Sequence, residues 1–373
     1  QRVYRLKPVR LQHPCPTVHP ISTRGDTSVS PSSEEEHIMN TPYQTLDVHA
    51  HILELETIQR IADEVPEVRI TLTKTEEDFG DLDVQGVVYR QFPRGGWDVE
   101  RRLTDMKRFG FDQQVLAVPP QSLFYDVAPE ICLKTSRIQN DAIAKLVRDR
   151  PAAFQGLATV PMQAPEMAAD DLARAMTDDG LSGVMIATNV NGQNLDMPEL
   201  DPFWASAERL GAFILVHPAQ VAGVDRQKDY YLKNFIGNPL DTTIAAACLV
   251  FGGVLERYPE LKVCLSHGGG FVPYQAARWI HGWGERKEAK VRLKGHPGPS
   301  IDRLLYDTIL HDGAPLQYLV DWAGSKRVML GSDYPFDMGQ YDLREVIGGL
   351  RLTTAERGAI LGCSARALIP PAS

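Results

Sequence analysis

Residues 45–52 read "TLDVHAHI", an apolar-leaning run broken by two histidines, His49 and His51, with one alanine between them. Side chains alternate along a strand, so residues two apart face the same way. Two imidazoles on one face of a buried-looking strand converge on a single point. A metal ion is the simplest object that takes two neutral imidazoles there. The competing reading is a chance H-x-H in a surface hairpin, and the rest of the chain has to decide between them.

Outward from this run, short apolar segments alternate with longer amphipathic ones. After "TLDVHAH" the strand candidates are "QVLAVPP", "FQGLATVPM", "LSGVMIATN", "GAFILVHP", "LKVCLSHGG", "LLYDTILHD" and "RVMLGSDYPF". Helical patterns lie between them: "VERRLTDMKRFG", "SRIQNDAIAKLVRDR", "PEMAADDLARAMTDDG", "DPFWASAERLG" and "DTTIAAACLVFGGVLERYP". Several begin with Asp or Pro and end in Gly or Pro, as capping requires. Eight such strands point to an α/β fold, a (β/α)8 TIM barrel with a small insertion after the first strand. The competitor is an open doubly wound sheet, but no G-x-G-x-x-G turn follows the first strand. Two connections are long. Residues 52–98 hold an expected hairpin of "RITLTK" with "LDVQGVVYRQF", and residues 218–240 follow the fifth strand. Long loops after barrel strands stand over the active-site mouth, which makes both candidate lids or substrate walls.

The composition is that of an ordinary globular protein: 373 residues, 43% hydrophobic and 23% charged. A net charge of −9 argues against nucleic acid or an anionic membrane as the main partner. No uninterrupted apolar run reaches the roughly 18 residues of a membrane span. The five cysteines form no C-x-x-C pair, which fits a reducing, cytoplasmic setting. Residues 1–44 differ in texture, rich in Pro, Ser, Thr and charge. They are expected to be a flexible extension or an expression leader, with Met39 as a natural start. Residues 45–373 then form the metal-dependent barrel domain.

Barrel chemistry sits at the C-terminal ends of strands. In order, those ends carry His49 and His51, His217 in "ILVHP", His267 in "LSHGGG" and Asp333 in "LGSDYPF". Four of only ten histidines thus share one pattern. Any one of them alone is more simply a core histidine satisfied by backbone; all four with an aspartate are not. Three imidazoles and a carboxylate suit Zn²⁺ or another borderline divalent ion. His49, His51, His217 and Asp333 are the expected ligands, and His267 the expected acid/base acting with the zinc-bound water. The fourth strand offers no lysine for a bridging ligand, so one metal per subunit is expected; separately, chemistry of this kind calls for no organic cofactor. Asp307 and Asp47 are expected to orient neighbours. His311 either enters the pocket or packs beneath a loop.

Together "DVHAH", "VHP", "SHGGGFVPYQAARW" and "GSDYPFDMG" resemble the amidohydrolase superfamily over roughly residues 44–340. The resemblance is closest to its α-amino-β-carboxymuconate-ε-semialdehyde decarboxylase branch, since His49 keeps the first histidine that several decarboxylases replace by glutamate. It implies the same zinc ligands and catalytic His267. It also implies that Arg278 reaches into the neighbouring subunit's site of a homodimer to hold a substrate carboxylate. Arg90, or Arg94 in its stead, would be a second such arginine from the insertion; a guanidinium pairs bidentately with carboxylate. Phe336 is placed either to stack on a planar substrate or to pack beside Asp333. One departure stands out: Tyr230 and Tyr231 fall where the family has tryptophan.

The reaction implied is metal-dependent, non-oxidative decarboxylation of an unsaturated or aromatic-derived acid, α-amino-β-carboxymuconate-ε-semialdehyde or a close analogue. Two rivals use the same ligands. One is a metal-dependent hydrolase of a lactone or amide; the other is a barrel whose metal is structural or sensory. Release of CO₂ separates them.

Overall fold

The decisive run forms the first strand, β1 (Leu46–His51), buried along its whole length. The computed structural model of the protein describes residues 43–370. The expectation for residues 1–42 therefore lies outside the described residues. After β1 come helix α1 (Leu55–Glu64) and three short strands, β2 (Ile70–Lys74), β3 (Phe79–Val84) and β4 (Val87–Pro93). Strand and helix then alternate: α2 (Val99–Phe109), β5 (Gln113–Ala117), α3 (Pro129–Asp149), β6 (Phe154–Gly156), α4 (Pro165–Thr177) and β7 (Gly183–Ala187). They continue with α5 (Asp201–Leu210), β8 (Phe213–His217), α6 (Asn238–Phe251), β9 (Lys262–Leu265) and α7 (Val272–Glu285). The last are β10 (Leu305–Asp307), α8 (Gly313–Ala323) and β11 (Val328–Met329).

The strands that alternate with helices pair in parallel as two arcs, β1-β5-β6 and β7-β8-β9-β10-β11. Two parallel bridges join the arcs. Ala158, just past β6, pairs with Val184, and Ala50 pairs with Tyr334 just past β11. The Val48 amide donates to the Leu330 carbonyl across the second seam at 2.8 Å. The result is the expected (β/α)8 barrel, in sequential strand order. Strands such as "GVMIA" and "FILVH" are continuous hydrophobic runs because helices cover one face and packed barrel side chains the other. Proline at the first position starts α3 and α4, where a missing N–H costs nothing.

Three local readings differ from expectation. Helix α3 begins at Pro129, well before "SRIQ". The helix expected across residues 241–259 breaks after Phe251, and a separate turn, Val254–Arg257, follows Gly253 at φ +72°. The insertion holds three antiparallel strands rather than two, because "LDVQGVVYRQF" is itself a hairpin. It reverses at Gln85–Gly86, both with positive φ, the conformation a tight two-residue turn needs. Among the described residues no helix is long and apolar enough to cross a membrane.

Candidate metal centre

Strand alternation puts His49 and His51 on the inner face of β1, and their Nε2 atoms stand 3.0 Å apart. His217 ends β8, and Asp333 lies in the segment that bridges back to β1, where its amide donates to the His49 carbonyl at 2.8 Å. Asp333 Oδ1 is 3.1 Å from His51 Nε2, 3.3 Å from His49 Nε2 and 3.9 Å from His217 Nε2. One ligand atom from each of these four buried residues lies within 4.8 Å of all the others.

The proton positions follow from what faces each ring's other nitrogen. His49 Nδ1 meets the Asp307 carboxylate at 2.8 Å, His51 Nδ1 the Val118 carbonyl at 2.9 Å, and His217 Nδ1 the Pro218 carbonyl at 2.8 Å. All three partners only accept, so each Nδ1 carries the proton and each Nε2 presents a lone pair. Three lone pairs and a carboxylate crowd one point, and His217 Nε2 is buried without a hydrogen-bond partner among the described residues. That donor set fits one divalent cation of borderline softness.

The charges respond to the crowding. Burial depresses His49, but the Asp307 and Asp333 carboxylates outweigh it and lift its pKa to about 10. Burial alone dominates at His217, driving its pKa down to about 3, and His51 is lowered in the same way. Asp333 is held well below the carboxylate range: burial opposes this, and the surrounding imidazoles overcome it.

His267 stands differently. Among the described residues its buried Nδ1 has no partner, and its Nε2 lies 3.6 Å from Asp333 Oδ2, too far for a hydrogen bond. His267 and Asp333 both take left-handed backbone, φ +54° and +58°. Such conformations cost roughly 1–3 kcal/mol each, and the surrounding structure imposes them. A cavity of about 210 Å³ opens over the cluster, reaching His217, Asp333 and Phe336.

The amidohydrolase family profile matches residues 46–370. The chain belongs to the amidohydrolase family. Within it, the chain falls in the carboxymuconate-semialdehyde decarboxylase-like branch. It is 37% identical over 258 residues to the 2-amino-3-carboxymuconate-6-semialdehyde decarboxylase of Dictyostelium discoideum, spanning 69% of this chain and 72% of the relative. A gamma-resorcylate decarboxylase of Rhodococcus jostii is 28% identical over 60% of this chain and 70% of its own. Among solved structures, the 5-carboxyvanillate decarboxylase of Sphingomonas paucimobilis superposes with a TM-score of 0.75 at 22% identity, covering 88% of this chain and 99% of its own. The dihydroxybenzoic acid decarboxylase of Polaromonas, with bound manganese and 2-nitroresorcinol, gives 0.71 at 21%, covering 87% and 96%.

The remaining residues singled out in the sequence of this amidohydrolase fall unevenly. Phe336 is buried and packs at 5.2 Å from the His51 ring and 5.3 Å from Tyr89. Arg90 is not brought to the cavity. Register slips between Gly80 and Leu82, so Arg90 and Gln91 together face Asp81, and Gln91 takes φ +55°. This bulge turns Tyr89 and Phe92 inward and leaves Arg90 78% exposed, paired with Asp81 at 3.3 Å. Arg94 is bonded to Asp98. Arg278 is exposed on α7, away from this chain's own cavity. His311 is exposed and lines a second opening beside His267. Asp307 accepts from the His267 and Gly268 amides as well as from His49, and Asp47 accepts from Ser332 and Gln114.

Sequence reasoning missed Arg102, which is fully buried behind the site. Its guanidinium donates to the His51 carbonyl, to Gly95 O at 3.1 Å and to Gln114 Oε1 at 2.8 Å. The signal was present: Arg102 shares the i, i+3, i+4, i+7 face with Val99, Leu103 and Met106. It also missed Tyr89, whose hydroxyl donates to Asp337 at 2.8 Å in the cavity wall.

Proposed function

We propose that this amidohydrolase is a metal-dependent, non-oxidative carboxy-lyase acting on 2-amino-3-carboxymuconate-6-semialdehyde or a close unsaturated or aromatic analogue. One observation carries the reading. Three imidazoles are locked as Nδ1 donors, while the fourth, His267, beside the same carboxylate, has no hydrogen-bond partner on either nitrogen among the described residues. The first three are set up to hold a cation through His49, His51, His217 and Asp333; His267 is left to exchange a proton. A bound divalent ion would supply Lewis acidity at this point.

In the proposed reaction His267 delivers a proton to the carbon that bears the carboxylate. The electrons of the C–CO₂ bond then return to the conjugated system, CO₂ leaves, and the imidazole recovers its proton through the open cavity. Phe336 offers a flat wall for a planar substrate. Three imidazoles with one carboxylate favour Zn²⁺, and the manganese of the Polaromonas relative names the competing ion. We infer a cytoplasmic homodimer as well. The cysteines Cys132, Cys248, Cys264 and Cys363 are free. Arg278 is exposed beside exposed Tyr274 and Ile280 and has no ion pair among the described residues. That arrangement favours its serving a partner's site. If so, His267→Ala and Arg278→Ala chains, each inactive alone, recover activity when mixed as dimers; no recovery removes the shared site.

The reaction is tested with metal-loaded, oxygen-free protein and the carboxymuconate semialdehyde, following substrate absorbance and CO₂ together. Stoichiometric CO₂ is expected, with His267→Ala slowing it by about 10²–10⁴-fold at unchanged metal content. Fully metallated protein that releases no CO₂ overturns the decarboxylase and returns the hydrolase reading.

A further inference from the structure

Neither Arg90 nor Arg278 brings a positive charge from this chain to the cavity over the metal cluster. Its wall already holds the carboxylates of Asp333 and Asp337. Arg90 points outward to Asp81, and Arg278 lies on α7 outside the cavity. Among the described residues lining this cavity, Lys233 bears the only permanently cationic side chain. Lys233 is exposed and forms no ion pair or side-chain hydrogen bond with any described residue.

Its placement has a local cause. Residues Lys233–Gly237 form a π-helical turn just before α6, with the Asn238 amide bonded to the Lys233 carbonyl. A π-turn adds one residue to the helix and re-aims the side chains around it. Tyr231, Asn234 and Asn238 line the cavity with Lys233, while Phe235 and Ile236 remain exposed outside its wall. A second cavity of about 180 Å³ adjoins the first and shares Val84, Val87, Pro120, Gln121, Ala219 and Lys233 with it. Lys233 thus stands where the metal chamber meets a second chamber.

We propose that Lys233 is a specificity-determining residue whose ammonium pairs with a second anionic group of the substrate, one that the reaction leaves in place. The proposal rests on the reading of this site as one for carboxylates. The departing carboxylate lies toward the metal cluster, and the retained one lies toward the junction of the two chambers. A diacid then meets a cation at each end, whereas a monoacid leaves Lys233 to solvent. Neither Tyr230 nor Tyr231, the residues that depart from the family pattern, can supply this charge.

The test measures binding rather than turnover. Benzene-1,3-dicarboxylate and its monomethyl ester are titrated calorimetrically into metal-loaded wild type, Lys233→Met, Lys233→Arg and Arg90→Met, with metal content and circular dichroism checking each fold. Wild type is expected to prefer the diacid by about three- to fivefold, the upper part of the range for a solvent-accessible ion pair. Lys233→Met should erase the preference, Lys233→Arg should restore it, and Arg90→Met should keep it. A preference that survives in Lys233→Met, is absent from wild type, or vanishes in Arg90→Met overturns the proposal. The two readings fail separately. A lysine-dependent preference in a protein that releases no CO₂ keeps the anchor and removes the decarboxylase; CO₂ release without that preference does the reverse.

Discussion

An imidazole ligates through the nitrogen that carries no proton, so the group facing its other nitrogen decides whether it can serve. At His49 that group is Asp307, which also receives the amides of His267 and Gly268 at 2.9 and 2.7 Å. Burial raises the Asp307 pKa, but the hydrogen bond and charge of His49 pull it below the ordinary carboxylate value. One anion therefore orients a ligand and the loop bearing His267 together. Asp307→Asn keeps the shape and removes the charge, and metal affinity is expected to fall about 10–100-fold. Competition with a chromophoric chelator measures it; unchanged affinity would reduce Asp307 to a loop tie. At this scale the histidines and Asp333 were legible because strand ends in a barrel converge, so position alone said they meet. Arg90 was not, because a one-residue bulge reverses which side chains face inward and leaves no mark in composition.

Helix α2 shows how an element holds the site from behind. It carries Arg102, which clamps the His51 carbonyl, and it is capped by Asp98. The Asp98 carboxylate accepts from the Arg101 amide at 3.0 Å and from Arg94 Nε at 2.8 Å. Partial burial raises its pKa, yet these two donors bring it below the ordinary value. Asp98→Ala should cost about 1 kcal/mol at neutral pH. Because folding lowers this pKa, the stabilisation is complete above about pH 4 and disappears as pH falls through the folded value. Urea midpoints of the two proteins should therefore converge on acidification, and a gap constant with pH would show that the charge plays no part. Helix periodicity made α2 legible from Val99 onward; its cap, Asp98, fell at the end of the insertion and was not singled out. The insertion was less legible, since "LDVQGVVYRQF" reads as one strand until the Gln85–Gly86 reversal divides it.

On the scale of the whole molecule, the alternation of apolar and amphipathic segments made the barrel legible, because each strand must be buried and each crossover must be helical. Arg278, exposed on α7 and outside this chain's own cavity, would take up its proposed role only in an assembly. The ring closes where β1 meets the segment after β11, the seam at which Asp333 faces His49 and His51. His217 stands across the barrel on β8. A cation held by these four groups therefore ties β8 to both sides of the closing seam, and unfolding must release it. At a free metal concentration a thousand times Kd, the linked stabilisation is about 4 kcal/mol. For a domain of this size that corresponds to roughly 5–10 °C in Tm. Chelator-treated protein should melt that much lower, re-addition of Zn²⁺ or Mn²⁺ should restore the loss, and the ion found bound after purification should restore it at the lowest concentration. His217→Ala should shrink the metal-dependent shift, because the remaining ligands lie on one side of the barrel and no longer bridge it. Equal melting temperatures with and without one bound equivalent would mean that the cation binds a site equally available in the unfolded chain, and the convergence of the four side chains would then have no bearing on how the ring is held.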